Sequence, residues 1–483
     1  MQIDLIAIGP EIILTAALCG VLLLDLFLPD NRKWLAMPAS FAGVLATLAA
    51  VLYIAMTHER STLGGMFVVD SFAILFKAVF CLAALLVFTI SHDYLKEDTI
   101  HQGEYYVMLL SSLLGMLVIS SSRDLIAIFV ALELISLPAF VLAGLRKSDL
   151  RSNEAALKFF LFGVLSTAVM LFGMSLIYGI TGTTNLADIA TVISVATPLR
   201  DVAILSVFFL LVGIGFKISA FPFQWWVPDT YEGSPVPVAA FLSVASKTAG
   251  FVALIQIMFV AFIQLADQWR PFLAILAVLT MTFGNLVALK QKHLVRLLAY
   301  SSIAQAGYIL LPLGIASATN QSRNREAFIA ATVYLLIYAF METGAFAVAI
   351  AVGRRGRGYQ ISDYAGLMKQ APGLVLAMAI FLFSLAGVPP MAGWAAKFFI
   401  FRAVLNAGGI WLAIAMAVNT VIALFYYAAV AKKMVFDEPA PGKVAFGTPP
   451  LLGTAITLAA IVVVVVGILP DLFGRLAEAS ALF

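Results

Sequence analysis

The sequence predicts an all-α polytopic membrane protein with about fourteen transmembrane helices, and composition and hydropathy predict this fold class. Of the 483 residues, 63% are hydrophobic and 11% are charged, whereas soluble domains are nearer half apolar and a quarter charged. Apolar stretches of about 20 residues, the length that a helix needs to cross a bilayer, recur along the chain. This composition excludes a water-soluble enzyme, a disordered chain and a nucleic-acid-binding protein. The net charge of +3 is too small to indicate polyanion binding.

The apolar windows place the candidate spans along the whole chain. They are, in order, 8–28, 35–57, 68–91, 105–121, 124–144, 155–180, 201–232, 235–263, 271–289, 295–317, 326–352, 371–405, 409–431 and 451–470. The first span is not expected to be a cleavable signal peptide, because it lacks a basic start and is preceded by acidic residues. The connections between spans are too short for a soluble domain.

The two cysteines, Cys19 and Cys81, exclude a disulfide framework, a cysteine-ligated zinc site and an iron–sulfur cluster. Both lie in apolar stretches, so both are expected to be small buried side chains. Motifs for dinucleotides, P-loops, zincins and c-type haem are absent from the sequence. The chain therefore has no residues that predict redox chemistry of its own.

The basic residues of the loops alternate between the two sides of the membrane. When the first loop is assigned to the cytoplasm, the odd-numbered loops carry sixteen lysines and arginines. The opposite side carries seven, namely Arg60, Arg123, Arg200, Arg270, Arg323, Arg325 and Arg475. Because basic loops remain cytoplasmic in membrane proteins, both termini are expected on the outer side.

Six basic residues that the loop counts leave over, together with two glutamates, are singled out inside the candidate spans. They are Lys77, Lys158, Lys217, Lys247, Lys397, Arg402, Glu133 and Glu342. A charge at the centre of a membrane helix costs about 2.5–3.5 kcal/mol on insertion scales. A chain with so few charges has no compositional reason to carry that cost repeatedly, so the pattern indicates an ion or proton path.

Glu133 lies about ten residues into its span, which is roughly 15 Å of helix. A lone carboxylate at that depth would take up a proton, whereas one held near a lysine would stay ionised. Burial favours the neutral amine of a lysine, so Lys217 and Lys247 are plausible proton carriers, as an arginine would not be. The alternatives are a structural ion pair for Glu133 and snorkelling of the lysines to the interface.

Snorkelling suits Lys158, which lies only a few residues inside its span, and Arg402, which lies near a helix end. Lys77 and Glu342 stay open between a helix–helix contact and a functional role. The acids of the stretch 224–232 could attract protons at an entrance, but solvated loop acids are the commoner explanation.

Two of the spans are predicted to be broken helices. The 32 residues of 201–232 would make about 48 Å of helix against a hydrocarbon core of roughly 30 Å, and Pro222 interrupts them. The span 371–405 is also too long, and a Gly-Val-Pro-Pro stretch interrupts it at 387–390. Because paired interrupted helices are the best sequence indication of a transporter site, these breaks predict one.

Lysines accompany both breaks, with Lys217 five residues before Pro222 and Lys397 eight residues after Pro389. Their positions on opposite sides of the breaks suit two inverted five-helix repeats, spans 4–8 and 9–13. The alternative is two ordinary proline kinks. The predicted organisation is therefore three leading helices, a first repeat, a second repeat and a C-terminal helix, at 1–100, 101–265, 266–435 and 436–483.

At these residues the chain resembles the antiporter-like membrane subunits of respiratory complex I, the proton-pumping NADH:quinone oxidoreductase. The matching stretches cover nearly the whole chain and lie at 133–137, 215–219, 226–238, 245–247, 296–308 and 384–389, with Lys397. Within this family, Tyr-Glu-Gly at 231–233 argues against the branches L and M, and the lysine at 397 argues against branch M. Branch M has a glutamate at the latter position.

The resemblance implies that the chain carries protons across the membrane while other subunits pass electrons from NADH to quinone. By motif match, Glu133 and Lys217 would form the charge pair of the first half, and Lys247 would link the halves. Lys397 would pass the proton toward the outlet, and Lys158 matches a position that is often counted in the relay. Gln224 stands where some relatives have histidine, so any proton-carrying role of that side chain is in doubt.

The resemblance also implies the setting of the chain. No cofactor is expected in this chain, since NADH, FMN, the iron–sulfur clusters and quinone belong to the rest of the complex. The expected partners are the antiporter-like subunit M, the small subunits K and J, and membrane lipids, with no nucleic acid. The expected location is a bacterial inner membrane, with periplasmic termini. Two alternatives stay open: a subunit of a multisubunit cation/proton antiporter, and a structural membrane-arm subunit that pumps nothing.

Overall fold

A computed structural model describes residues 3–57, 59–97, 102–195, 200–354, 358–439 and 446–482. Helices account for most of these residues, and thirteen of the described helical segments are long and apolar enough to cross a membrane. The remaining predicted span, 371–405, is a pair of shorter helices on either side of a break. The predicted all-α polytopic fold is therefore confirmed.

The helices are numbered in chain order. They are α1 Gly9–Phe27, α2 Ala36–Ala55, α3 Ser71–Glu97, α4 Gln102–Ser121, α5 Leu125–Ala143, α6 Leu150–Thr181, α7 Leu186–Val195, α8 Arg200–Ile218, α9 Trp226–Gly233, α10 Val236–Phe241, α11 Lys247–Gln256, α12 Ala266–Ala288, α13 Leu294–Leu310, α14 Gln321–Val352, α15 Pro372–Ala386, α16 Ala392–Asn406, α17 Ile410–Phe436, α18 Pro450–Ile468 and α19 Asp471–Ala479. The π-helical turn Leu242–Ser246 joins α10 to α11, and a second π turn, Ile257–Ala261, extends α11. Together they form one continuous membrane helix, Val236–Ala261.

Some elements were not predicted from the sequence. A two-stranded antiparallel hairpin pairs β1 (Arg60–Thr62) with β2 (Phe67–Val69) between α2 and α3. The short helices α7 and α19 lie in connections that the hydropathy windows treated as loops. Of the two cysteines, Cys81 is buried as expected, but Cys19 is exposed on α1, so that part of the prediction was wrong.

The centre of the molecule is formed by the helix Val236–Ala261, by α13 and by α14. In the most apolar 18-residue stretch of Val236–Ala261 every residue is buried. In the corresponding stretch of α14, 94% of the residues are buried. By contrast, α6 presents a row of large apolar side chains to the outside, among them Leu157, Leu161 and Leu165. A helix that is surrounded on all sides holds its polar side chains away from lipid, so the centre is where charges inside a membrane can be retained.

Ion pairs next to the fifth, seventh and ninth loops place these three odd-numbered loops on one side. Asp229, in α9 just before the seventh loop, bonds to Lys158 near the start of α6 and to Arg296 near the start of α13. On the opposite side, Arg60 bonds to Asp4 near the N-terminus, and Arg325 bonds to Glu478 near the C-terminus. Both described ends of the chain therefore lie on the side of the even-numbered loops. Of the sixteen basic residues counted above, Arg355, Arg357 and Lys443 lie outside the described residues.

Both predicted helix breaks are present. The first separates α8 from α9: Ser219 adopts a φ of 63°, and the Phe221–Pro222 peptide is cis. The second separates α15 from α16, with Gly387 at a φ of 86° and a cis Pro389–Pro390 peptide. Because each break ends a helix inside the protein, backbone carbonyls at the end of the preceding helix are left without intrahelical donors.

Candidate functional site

The first part of the site joins α5, α6 and α8. Lys217 lies in the last turn of α8, is 5% exposed, and its Nζ donates a hydrogen bond of 2.8 Å to Ser136 Oγ on α5. Glu133, one turn earlier on α5, accepts a hydrogen bond of 3.0 Å from Thr167 on α6. Glu133 and Ser136 share a helix face because they are three residues apart. The structure thus places the amine of Lys217 beside the turn of α5 that carries Glu133 and Ser136. Lys217 bonds to the hydroxyl of Ser136, and the charges of Glu133 and Lys217 form no ion pair within 4.0 Å.

Glu133 is only partly buried. The outward face of α5 carries the exposed apolar side chains Ile126, Val130, Leu137 and Val141, and Glu133 lies three and four residues from the middle two of them. Its carboxylate therefore sits at the edge of the molecule, on the side where α5 is not covered by the rest of the chain.

Lys217 and Lys247 lie on neighbouring helices at close approach. A Cβ placed on Gly250 would come within 3.1 Å of Lys217 Cγ, so the missing side chain makes room for the lysine stem. Gly250 is one turn beyond Lys247 on α11, and the two positions are therefore close on the surface of that helix. The first-half lysine thus packs directly against the helix that carries the central lysine.

Lys247 begins α11, directly after the π turn Leu242–Ser246, and is 1% exposed. Its Nζ donates to the backbone oxygen of Ser302 at 2.8 Å and to Ser302 Oγ at 3.0 Å. Both acceptors are neutral and belong to α13. The central lysine therefore joins α11 to α13.

Lys397 lies in α16, on the far side of the second break, and is 5% exposed. Its Nζ donates to the backbone oxygens of Leu385 at 3.1 Å and Ala386 at 2.9 Å, which end α15, and lies 4.4 Å from the centre of the Tyr308 ring. The negative end of a helix dipole and its free carbonyls favour a cation at this position. The break thus creates the binding place of the lysine.

A glycine is required at the second break for two reasons. Gly387 has a φ of 86°, which side-chain-bearing residues rarely adopt. A Cβ at this position would also come within 2.7 Å of Lys397 Cδ. The same residue therefore permits both the turn of the backbone and the approach of the amine to the end of α15.

Polar side chains connect Lys247 with Lys397 through α13. Gln305 lies three residues after Ser302, and its Nε2 donates to the Leu385 backbone oxygen at 3.2 Å, the same oxygen that Lys397 binds. Gln305 also bonds to Tyr427 at 3.2 Å and accepts from Tyr334. One helix therefore contributes a buried polar row between the central and the last lysine.

Lys158 lies apart from this buried row. Its side chain is 38% exposed and pairs with Glu154 at 2.6 Å and with Asp229 at 2.7 Å. Asp229 also pairs with Arg296 at 2.8 Å, and Arg296 with Glu232 at 2.8 Å. Burial opposes ionisation of Asp229, but hydrogen bonds from Lys158 and Arg296 outweigh it and hold the pKa of that carboxyl below its usual range.

This charged cluster bears on two of the expectations. Asp229 and Glu232 keep 33% and 30% of their side-chain surface exposed, and their ion pairs also hold α6, α9 and α13 together. The position of Lys158 matches the snorkelling interpretation, since its amine reaches the charged edge of the molecule. The structure does not bring Lys158 next to the buried lysines.

Three further residues were left open by the sequence. Lys77 pairs with Glu11 of α1 at 2.7 Å, so it joins the leading helices outside the lysine row. Glu342 on α14 is fully buried and accepts a hydrogen bond of 3.1 Å from Ser243. The side-chain amide of Gln224 is also fully buried, and neither its nitrogen nor its oxygen finds a partner among the described residues.

The acceptors of the lysines were not found from the sequence. Ser136 and Ser302 accept from Lys217 and Lys247, and Gln305 shares the Leu385 oxygen with Lys397. All three are neutral and lie far from these lysines in the chain, so no charge pattern marks them. The available signal was the presence of serine and glutamine at helical spacing in otherwise apolar spans. Within the described part of the chain, no group of three or more His, Cys, Asp or Glu residues is placed to hold a metal ion.

Thirteen described helices long and apolar enough to cross a membrane, two helix breaks and a row of buried lysines are the features of an antiporter-like transmembrane subunit. Comparison with known families agrees: a family profile described as "NADH:quinone oxidoreductase/Mrp antiporter, TM" matches residues 122–423. The chain belongs to this family.

The relatives that match over their full length specify the branch. A protein of Trichlorobacter lovleyi named NADH-quinone oxidoreductase subunit N is 41% identical over 99% of this chain and 96% of its own length. A protein of Rhizobium meliloti named NADH-quinone oxidoreductase subunit N 2 is 40% identical over 98% of this chain and 96% of its own. The chain is thus similar to subunit N of the membrane arm, the branch that the sequence favoured over L and M.

Solved structures show the same fold. A chain of respiratory complex I from Thermus thermophilus matches with a TM-score of 0.80 and 30% identity over 97% of this chain and 99% of its own. A chain of the Mrp complex from Dietzia sp. matches with a TM-score of 0.86 over 99% of this chain and 97% of its own, but at 21% identity it shows the fold alone. The multisubunit cation/proton antiporter is therefore not the favoured alternative.

Proposed function

We propose that this chain translocates protons across the membrane as a subunit of NADH:quinone oxidoreductase, driven by electron transfer in other subunits. One observation carries the proposal: the three buried lysines Lys217, Lys247 and Lys397 all donate hydrogen bonds to neutral oxygens. A neutral acceptor stabilises an ammonium less than a carboxylate does, so the charged and neutral forms of the amine stay close in free energy. A group with this balance can take up and release a proton.

Lys77 provides the contrast within the same chain. It is as deeply buried as the other lysines, but its Nζ lies 2.7 Å from a carboxylate oxygen of Glu11. A buried ion pair of this kind holds its charge, because removing one partner leaves the other uncompensated. The difference between the two environments supports a transport role for the lysine row and a structural role for Lys77.

The proposed order follows the contacts. Glu133 and Lys217 form the charge pair of the first half, and Lys217 lies against the helix of Lys247. A change in the separation of Glu133 and Lys217 alters how strongly Lys217 holds its proton and favours transfer toward Lys247. The charge on Lys247 then displaces the proton of Lys397. Lys158, which the resemblance counts in the relay, belongs to the charged cluster on the side of the odd-numbered loops.

The proposed organisation follows the sequence. Residues 101–265 and 266–435 form two inverted repeats, each with one broken helix, after three leading helices at 1–100 and before a last segment at 436–483. Neighbouring subunits are M, K and J. The membrane is a bacterial inner membrane, with the basic odd-numbered loops in the cytoplasm and both termini in the periplasm.

The redox cofactors of the complex lie elsewhere. We assign NADH, FMN, the iron–sulfur clusters and quinone to other subunits, and translocation to this one. A subunit of a stand-alone antiporter would instead move cations without NADH. If the chain were purely structural, the complex would keep pumping after loss of the buried lysines of this chain.

The test is NADH-driven proton pumping by membrane vesicles that carry Lys217→Ala or Lys397→Ala. Assembly is checked by native gel, and pumping is normalised to NADH oxidation. The matched control is Lys147→Ala, an exposed lysine paired with Glu104 at the surface. Loss of pumping in the two buried variants, with normal pumping in the control, supports the proposal; normal pumping in all three overturns it.

A further inference from the structure

Glu342 is a buried carboxylate that the proposed lysine row does not use. It lies in α14, within the span Gln321–Val352, and its relative exposure is 0%. A carboxylate inside a membrane helix is costly, so such residues are rare and face the interior or a pathway. No part of the proposed order of transfer accounts for its presence.

The contacts of Glu342 place it beside the central lysine helix. Its Oε1 accepts a hydrogen bond of 3.1 Å from Ser243, whose Oγ also bonds to the hydroxyl of Tyr338 at 2.9 Å. Ser243 lies four residues before Lys247 on the continuous helix Val236–Ala261, so both face the same side. Glu342 Oε2 has no hydrogen-bond partner among the described residues.

Lys247 is the cation placed beside Glu342, because Ser243, which binds the carboxylate, lies one turn before Lys247 on the same helix. The titratable groups facing the carboxylate from the surrounding helices are Lys247 and hydroxyls of tyrosines, namely Tyr231, Tyr334, Tyr338, Tyr426 and Tyr427. Glu342 and Lys247 form no ion pair within 4.0 Å, because Ser243 holds the carboxylate and Ser302 holds the amine. They are thus two opposite buried charges kept near each other without direct contact.

We propose that Glu342 is the counter-charge of Lys247 and sets how readily the central lysine takes up its proton. The ionised carboxylate stabilises the ammonium of Lys247 across a low-dielectric interior, where charges act more strongly than in water. Separation beyond 4.0 Å keeps that stabilisation below the strength of a locked ion pair, so the lysine can still release its proton. Glu342 is a positioning residue in this scheme, since it acts through Lys247, and the proposal depends on the proton-translocation function proposed above.

The structure offers a direct contrast between the two carboxylate–lysine pairs of the buried interior. Lys77 contacts Glu11 at 2.7 Å, whereas Lys247 contacts Ser302 and leaves Glu342 to Ser243. The first arrangement holds two helices together. The second keeps two charges linked while leaving the amine bonded to neutral oxygens.

The test compares Glu342→Gln, Glu342→Leu and Glu342→Asp in the assembled complex, with proton pumping measured as a function of pH. Without the carboxylate, Lys247 needs a higher proton concentration to become charged, so pumping in the first two variants is expected to shift to lower pH by about one unit or more. Glu342→Asp keeps the charge and is expected to restore a profile close to that of the unmodified chain. The leucine variant serves where glutamine does not assemble.

Lys247→Ala is measured beside them to separate the two proposals. Loss of pumping in Lys247→Ala together with an unshifted pH profile in Glu342→Gln or Glu342→Leu overturns the role of Glu342 and leaves the translocation proposal intact. An unshifted profile in every variant, with normal pumping in Lys247→Ala, overturns both. An aspartate variant that behaves like the glutamine variant also overturns the counter-charge, since the negative charge would then be without effect.

Discussion

Removal of one hydroxyl tests how the first buried lysine holds its charge. The single hydrogen bond that Lys217 Nζ makes within the described residues goes to Ser136 Oγ at 2.8 Å. A hydrogen bond to a charged group contributes about 1.5–3 kcal/mol. Since about 1.4 kcal/mol corresponds to a factor of ten, Ser136→Ala is expected to disfavour the charged amine by roughly 10- to 100-fold. At neutral pH the variant should therefore pump fewer protons for each NADH oxidised.

The assay is NADH-driven acidification of inverted membrane vesicles, normalised to NADH oxidation, after assembly has been checked on a native gel. Ser112→Ala is the matched control, because Ser112 is also fully buried between α4 and α5 but donates to the neutral backbone oxygen of Ile135 at 3.1 Å. Pumping is expected to fall in Ser136→Ala and to stay near normal in Ser112→Ala. Equal pumping in the two variants would refute the reasoning, since the charged bond would then have no special effect.

Three further predictions follow from other contacts. Gly387→Ala adds about 1–2 kcal/mol of backbone strain at a positive φ, and the new methyl group pushes Lys397 from the end of α15. The assembled complex should therefore lose proton pumping, and normal pumping would contradict this prediction. Lys77→Ala leaves the buried carboxylate of Glu11 without its partner, which destabilises the fold by about 3–5 kcal/mol. Native gels should show less assembled complex, and the complex that remains should pump normally. Unchanged assembly would contradict a structural role for this ion pair. Because the folded pKa of Asp229 is lowered from 3.8, its ion pairs stabilise α9 above that pH and are lost as pH falls through the lowered value. Amide exchange of α9 should rise there, and Asp229→Asn should abolish this pH dependence.

Much of the fold could be predicted from the sequence because its determinants are local. Fourteen apolar stretches are directly visible, and the prolines at 222, 389 and 390 mark the places where a helix cannot continue. The alternation of basic loops also predicted that the fifth, seventh and ninth loops share a side, as the ion pairs of Asp229 show. The hairpin β1–β2 escaped prediction because its strands of three residues carry too little pattern.

The partners of the buried charges could not be predicted in the same way. A lysine in an apolar span is conspicuous, but its acceptor is a neutral atom brought close by packing between distant helices. Ser302 lies 55 residues from Lys247, and the acceptors of Lys397 are backbone oxygens exposed by a helix break. Lys77 illustrates the limit: its partner Glu11 was visible in the sequence, yet nothing local joined the two. Charge positions are local information, whereas charge environments depend on the tertiary structure.

The most direct test of the proposed translocation is NADH-driven proton pumping by complex that contains Lys247→Ala. Lys247 lies between the first-half lysine and the polar row of α13, so every proposed transfer between the halves passes through it. Assembled complex is expected to lose proton pumping when this amine is absent. Normal pumping in fully assembled Lys247→Ala complex would contradict the lysine relay and favour a structural role for the chain.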